Sequence, residues 1–519
     1  MADTKRDPKN PRARDTDCVP RGCRVHELIQ VPPGYPKVPR RPPFLDTLSG
    51  SWYEIGRQYG EKAGYLMRLL FDAPFVYPKM LHEHGYKNLI EDMYRYERQV
   101  REWNPDYIDL MRGMGDGAWA DLDESKYTAY LTHYEKALFM HVYGALAFCH
   151  PVGRPDPKAR ENTPVEIPGE SAYWQHANSP PVLDPDKLAE LARLDQEYTG
   201  FLKDLECTSI AALPPATASG KTMLAGNTQY GYGVGTYTMA FVVEPPGGNR
   251  FWTSTIPGIF MYLKGANEKG LAYRGQFGGN GDSTYGVLCT FMSAEMMAHA
   301  DNVEEAIEIL TRGTPGYRER SGRKTVLRQA GIFWTLADED DVAVVEASAH
   351  YYGVRRAGDL GERDFVACAN HAYVDHSFDE NGQGTDVPMT ERSGTVDDGE
   401  PGSSTRYWAA YWLGTYAHGR IDEEWLQNEF LGSHEWYSRE GERTDYAWSD
   451  EHGMYIPVKF INPHGASTIC SHSGGYPETY KSEVPCPFMC VPADRTAYWI
   501  VYKPEFWVGP WESLTLDSG

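Results

Sequence analysis

Asp204-Leu-Glu-Cys207-Thr-Ser-Ile-Ala-Ala-Leu213, with Met223-Leu-Ala-Gly-Asn-Thr-Gln229 close behind it, decides how the chain is read. Ser209–Leu213 and Thr222–Gly226 flank Ala218-Ser-Gly220-Lys, whose glycine suits a tight turn, so the pair reads as a strand, a turn and a strand. A cysteine that opens such a unit is either a nucleophile or a packed thiol, since free Cys is among the most buried residue types. The local residues alone leave both readings standing.

Outward from this hairpin the pattern separates into runs. Before it, Tyr53–Leu70 places Ile55, Tyr59, Leu66 and Leu70 near one helical face, and further helices are expected over 86–103, 105–122 and 124–146. Residues 1–45 are rich in Pro, Arg and Lys and read as a flexible arm. Residues 46–206 then form a mainly helical region with a Pro-rich linker at 151–185, followed by a short helix from Asp186.

After Cys207 the pattern turns to strands. Tyr237–Val243 and Arg250–Ile256 flank Pro245-Pro-Gly-Gly-Asn249 as a second hairpin, and strands are expected at 331–337, 342–347 and 365–369. A helix starts at Asp301 or Asn302, each with a Glu three residues on, buries Val303, Ala306, Ile307 and Leu310, and stops at Gly313. Helices over 404–416 and 422–431 and strands near 467–471, 486–492 and 497–502 complete the region 207–519. Acidic, Gly-rich stretches at 377–403 and 434–454 read as long surface loops. Helices and strands in separate runs argue for an α+β layered sandwich rather than a doubly wound sheet.

Composition narrows the function classes. The formal charge of −23 disfavours nucleic acid and anionic membrane as partners, because both are polyanions that recruit clustered Lys and Arg. The first residues hold no apolar core of a signal segment, and no run of about 18 apolar residues follows, which predicts a cytoplasmic protein without a membrane anchor. Nine cysteines make an odd count unlike a secreted disulfide framework. Cys470-Ser-His472 and Cys486-Pro-Phe-Met-Cys490 do not reproduce a two-pair zinc spacing, so neither metal nor cofactor is expected.

Several segments, in order, resemble the acyl-coenzyme A:isopenicillin N acyltransferase family of N-terminal-nucleophile (Ntn) hydrolases, which also includes amidases. Gly50-Ser-Trp-Tyr-Glu-Ile-Gly-Arg-Gln-Tyr-Gly60 is similar to that family's first helix, and Pro105-Asp-Tyr-Ile-Asp-Leu-Met-Arg-Gly-Met-Gly-Asp-Gly117 to its small-residue helix. Cys207-Thr-Ser and Gly226-Asn-Thr-Gln229 resemble its nucleophile strand and the strand that follows. Gly265-Ala-Asn-Glu-Lys-Gly-Leu-Ala272, Ala369-Asn370-His371, Ser404-Thr-Arg-Tyr407 and Ile469-Cys-Ser-His472 resemble later elements of the same family.

The resemblance implies a four-layer αββα sandwich made as a precursor and cut between Glu206 and Cys207 into α and β fragments. It makes Cys207 the nucleophile and, through its freed α-amino group, the base. It makes Asn370 the oxyanion donor, and it has Asn227 and Gln229 orient the amino terminus. Tyr230, Gln276 and Arg406 are expected to meet substrate. The family usually carries Asp where Gln229 stands, and an uncharged amide holds an amine less strongly than a carboxylate does. The implied activity is hydrolysis of a small-molecule N-acyl amide through a Cys207 thioester. Acyl transfer from a coenzyme A thioester or amide to an amine is the alternative, and a catalytically degenerate ligand-binding protein is a third reading. Homo-oligomerisation stays open.

Overall fold

The first helix starts where Ser51 and Glu54 close a capping box: the Glu54 N–H donates to Ser51 Oγ and the Ser51 N–H to Glu54 Oε2. In the computed structural model the described residues are 44–72, 76–120, 130–147, 157–182, 207–228, 239–262, 264–278, 281–393, 403–422, 446–449, 454–457 and 499–501, with isolated positions between them. From this cap run α1 (Trp52–Phe71), α2 (Tyr77–His84), α3 (Tyr86–Trp103), α4 (Asp106–Trp119) and α5 (His133–Ala147).

Helices α1 and α4 pack almost backbone to backbone. A Cβ at Gly56 would overlap the Leu110 carbonyl, one at Gly60 the Met114 carbonyl, and one at Gly113 the Tyr53 carbonyl. The two glycine-spaced segments singled out in the sequence are therefore partners in one helix pair. Residues 157–182 lie against this layer, with Arg160 paired to the buried Asp92 and Ser171 donating to the buried Glu135. The stretch expected as a linker carries short helices α6 (Pro157–Asn162) and α7 (Tyr173–His176).

Ten strands form one sheet in the order β1 (Phe44–Ser49), β4 (Met239–Glu244), β5 (Phe251–Thr255), β6 (Lys264–Asn267), β7 (Ala272–Phe277), β8 (Ile332–Ala337), β9 (Val342–Ala347), β10 (Tyr352–Arg356), β12 (Ser377–Phe378) and β13 (Gly384–Thr385). Among the described strands of this sheet, only β1 runs parallel to its neighbour. The second sheet has the order β11 (Phe365–Cys368), β2 (Cys207–Ala212), β3 (Met223–Thr228) and β16 (Trp499–Val501). A separate hairpin joins β14 (Tyr446–Ser449) and β15 (Met454–Pro457).

Three cores divide these elements into four layers. On one face of the large sheet, Phe241, Val243, Tyr273, Trp334, Leu336 and Val345 pack under α1–α5, α8 (Cys289–His299), α9 (Val303–Arg312) and α10 (Pro315–Ser321). Its opposite face, with Ala272, Phe333 and Val344, meets Ala211, Leu224 and Val366 of the small sheet. The outer face of the small sheet, with Ile210, Met223, Phe365 and Ala367, packs on Tyr407, Ala410 and Tyr411 of α12 (Ser403–Tyr416). Alternation along each strand sends neighbouring residues to opposite layers, and the result is αββα.

Expected and observed boundaries differ in instructive places. The helix over 86–103 stands as read, 105–122 shortens to 106–119, and the third begins at His133 rather than 124. β1 had no counterpart in the sequence reading: it takes in Phe44 and Leu45 from the stretch read as a flexible arm, and Phe44-Leu-Asp-Thr-Leu-Ser49 has no strict alternation to mark it after the Pro-rich residues. The loop expected at 377–403 carries β12, β13 and α11 (Met389–Ser393). Most of 422–431 and most of the helix from Asp186, together with the strands near 467–471 and 486–492, lie outside the described residues.

Candidate active site at the head of strand β2

Cys207 is the first residue of β2 and is fully buried. It shares its side of the strand with Ser209 and Ala211, so its thiol lies on the face turned toward the large sheet. β11 runs antiparallel alongside, with Cys368 opposite Ser209. Carrying that register two residues further sets Asn370 opposite Cys207, and the Cys207 N–H donates to Asn370 Oδ1 at 2.8 Å.

Asn370 is held at every end that the structure describes. Its backbone N–H donates to Ser403 Oγ at the start of α12, and its Nδ2 donates to the Phe277 carbonyl at the end of β7 at 2.7 Å. With an N–H facing Oδ1 and a carbonyl facing Nδ2, only one orientation of the amide satisfies both neighbours. Asn370, expected as an oxyanion donor, thus meets the Cys207 nitrogen through its side-chain oxygen. His371 Nδ1 lies 2.8 Å from the same Ser403 oxygen, and its ring packs on Tyr373 at 4.2 Å.

The other expected site residues fall as follows. Asn227 stands opposite Thr208 in the β2–β3 ladder, and its side chain is outside the described set. Glu206, Gln229 and Tyr230 lie outside the described residues, and of Arg406 only the place in α12 is described. Gln276 is fully buried and donates from Nε2 to Ser209 Oγ at 2.5 Å, while Ser209 Oγ also meets Thr335 Oγ1 at 2.7 Å. This seats Gln276 in a network with Ser209 and Thr335 within the inter-sheet layer, on the face that also carries Cys207.

Beside this network lies a buried charged group that sequence reasoning did not single out. Arg355 donates through Nε to Glu346 Oε1 at 3.2 Å, through Nη1 to Glu362 Oε1 at 2.5 Å, and through Nη2 to the Ala367 carbonyl at 2.6 Å. Burial opposes its charge, yet Glu362, Tyr407 and Glu346 outweigh that and hold the guanidinium above its ordinary value. The only local signal was an acid in the buried register of Val342-Ala-Val-Val-Glu-Ala347. Cys368 shares the inter-sheet face with Cys207, and burial pushes its thiol up to about 12, so it stays protonated and inert near neutral pH.

Among the described residues no group of three or more His, Cys, Asp or Glu could hold a metal ion, and no helix is long and apolar enough to cross a membrane. Cys470, His472, Cys486 and Cys490 lie outside the described residues.

An αββα sandwich with a cysteine heading an inner strand is the architecture of the Ntn hydrolases. Residues 220–398 match the family model described as acyl-coenzyme A:6-aminopenicillanic acid acyl-transferase, which bears out the resemblance over a stretch beginning beyond Cys207. No curated protein matches the chain. Solved structures similar to it include a Caenorhabditis elegans N-acylethanolamine-hydrolyzing acid amidase ortholog, 14% identical, covering 42% of this chain and 82% of that one at a TM-score of 0.29. Another is a C2A mutant of the conjugated bile acid hydrolase from Clostridium perfringens, 13% identical, covering 43% and 74% at a TM-score of 0.24. At such scores these two alignments carry no argument, and the fold stands on its own layers. The matching family is described by acyl-group chemistry.

Proposed function

We propose that the protein is a self-processing cysteine amidohydrolase that cleaves a small-molecule N-acyl amide through a thioester on Cys207. The observation that carries this reading is the contact of the Cys207 nitrogen with Asn370 Oδ1, at the head of an inner strand. In the proposed cycle, the thiol first attacks the Glu206 carbonyl, and the Glu206–Cys207 C–N bond breaks as its nitrogen takes up the thiol proton to become a free amino terminus. Water then hydrolyses the resulting thioester to give the Glu206 carboxylate and the free Cys207 thiol. A free α-amino group titrates near about 7.7 to 8.0, so at neutral pH a useful fraction accepts the thiol proton. The thiolate then adds to the substrate carbonyl, the amine returns the proton to the leaving nitrogen, and water hydrolyses the acyl-enzyme.

Asn370 has two parts in this scheme. Its Oδ1 steers the amino group so that the lone pair faces the thiol, and Nδ2 carries a second N–H, which we assign with a backbone N–H to the oxyanion. Losing one such donor typically costs about 2.7 to 4 kcal/mol of transition-state stabilisation. The partners are then a small amide and the two fragments of one precursor.

Intact mass under denaturing conditions tests the first step. The expected result is two fragments beginning at Met1 and Cys207, with a single uncut chain for Cys207→Ala. Active protein that remains one chain refutes the scheme. Transfer to an amine is the second reading, favoured by the acyl-transferase description of the matching family. Product release that is unaffected by added amine acceptors excludes it.

A further inference from the structure

We infer that Glu346 is a positioning residue for Asn370, and through it for the Cys207 amino group, an inference that rests on the reading just proposed. Glu346 lies in β9 on the face turned toward the small sheet and is fully buried. Its Oε2 accepts from the N–H of Tyr373 at 2.6 Å and of Val374 at 2.9 Å, in the segment that leaves β11 through Asn370. Its Oε1 accepts from Arg355. One carboxylate thus fastens the backbone three residues after Asn370 to the large sheet, while Ser403 fastens Asn370 itself to α12.

The choice of a charge here is informative. Two N–H groups, the Val374 one buried and the Tyr373 one half-buried, need acceptors, and a neutral side chain or carbonyl would serve. A carboxylate binds them about twice as strongly but has to be neutralised when buried. Arg355 supplies that, and its remaining donors reach Glu362 and the Ala367 carbonyl of β11, the strand that delivers Asn370. Tyr407 of α12 donates to the same Glu362 oxygen at 2.8 Å and places its ring 4.0 Å from that of Tyr373. The large sheet, the small sheet and the outer helix therefore converge on the segment from Asn370 to Val374. A stiff anchor matters because a misplacement of about 1 Å at a reacting group can cost on the order of 100-fold in rate.

The full chain tests this with Glu346→Gln, Glu346→Asp and Glu362→Gln. Two readings are taken: kcat and KM on an N-acyl amide, and the pH dependence of Cys207 alkylation by iodoacetamide, followed by mass spectrometry. Glu346→Gln is expected to lower kcat by about 10- to 100-fold, to leave KM within about threefold, and to displace the alkylation midpoint. Glu362→Gln disturbs the same guanidinium without touching the Tyr373 and Val374 N–H groups, so its kcat should fall by less than about threefold. Equal kcat losses in the two Gln variants overturn the inference, as does a Glu346→Gln protein with unchanged kcat. Should Glu346→Gln fail to fold, Glu346→Asp, which keeps the charge and shortens the reach, carries the same comparison with Glu362→Gln. If the wild-type chain turns over no amide, the proposed function fails, and alkylation alone decides: equal midpoints in wild type and variant reject Glu346 as a positioning residue.

Discussion

The two faces of the ten-stranded sheet meet different kinds of neighbour. Toward the helices lie Phe241, Tyr273, Trp334 and Val345, packed against rings such as Tyr59, Phe260 and Phe291. Toward the small sheet the same strands present Gln276, Thr335 and Glu346 among small apolar residues. The helix-side face gains free energy from apolar burial, about 1.5 to 3 kcal/mol for each large side chain fully covered. The inter-sheet face gains less of this and instead holds directional bonds around Cys207 and Asn370. Substitutions on the first should change stability with little effect on the folded enzyme's chemistry, and substitutions on the second should do the reverse.

The largest expected effect is on the inter-sheet side. Cys207→Ala removes the only atom proposed to carry the acyl group, so turnover should fall by at least about 1,000-fold. Cys207→Ala replaces a thiol with a methyl in a closed layer and keeps the chain whole, so the midpoint of urea unfolding should not fall below that of the cut wild type. A variant that loses activity only in proportion to its unfolded fraction would erase the distinction between the faces.

On the helix side the largest effect should be a dependence on pH. Burial lowers His141 to about 4, against a partly compensating bond to the Ala137 carbonyl, and its Nε2 accepts the Phe260 N–H at 3.1 Å. The folded value lies below the ordinary 6.5, so the unfolded chain binds more protons between these limits. The contribution is complete above pH 6.5 and is lost as pH falls toward 4, by about 3 kcal/mol in all. Urea titrations of wild type and His141→Gln at pH 7 and pH 4.5 should converge at the lower pH. Parallel loss in both proteins would show that other groups dominate acid unfolding.

Gly113→Ala probes the same side without any titration. Its Cβ would meet the Tyr53 carbonyl, so α1 and α4 must separate, at a cost of about 1 to 3 kcal/mol. The kcat per folded molecule should be unchanged. A fall in kcat with stability intact would mean that the helical layer shapes the site more directly than its packing indicates.

What the sequence revealed follows from how local each cause is. The stripe Val303, Ala306, Leu310 was visible because one helix face repeats within a few residues, though Ile307, expected in it, is only half-buried and Ile309 is buried instead, and Gly220, at φ +67°, was visible because a turn needs that backbone conformation. Cys207 and Asn370 were visible only as members of ordered motifs, since nothing near Asn370 shows that β11 lies beside β2. The Gly265–Leu271 motif is a turn: Asn267 Oδ1 accepts from Lys269 and Leu271, and its Nδ2 ties the hairpin to Met297 and Ala300. Glu346, Arg355, Glu362 and Tyr407 were not visible together because their spacing along the chain has no period. Only the closure of three layers brings them into contact.

The smallest predicted effect concerns the cap of α9, where the sequence allowed either Asp301 or Asn302. The structure selects Asn302, whose side chain accepts from the Glu305 N–H at 3.0 Å. Loss of an Asn cap usually costs about 0.5 to 2 kcal/mol. Here a second acceptor limits the damage, because Asp338 Oδ2, reaching across from the β8–β9 turn, already takes the Val303 N–H at 2.7 Å. Asn302→Ala should therefore sit near the lower end of that range, about 0.5 kcal/mol, and Asp338→Ala, which also releases the Asp340 and Asp341 N–H groups, should cost more. Urea midpoints of the two variants, with kcat as control, check the order. The reverse order would mean that α9 is held to β8 and β9 by its buried stripe and Asn302 alone, and that the turn contributes nothing to the helix it touches.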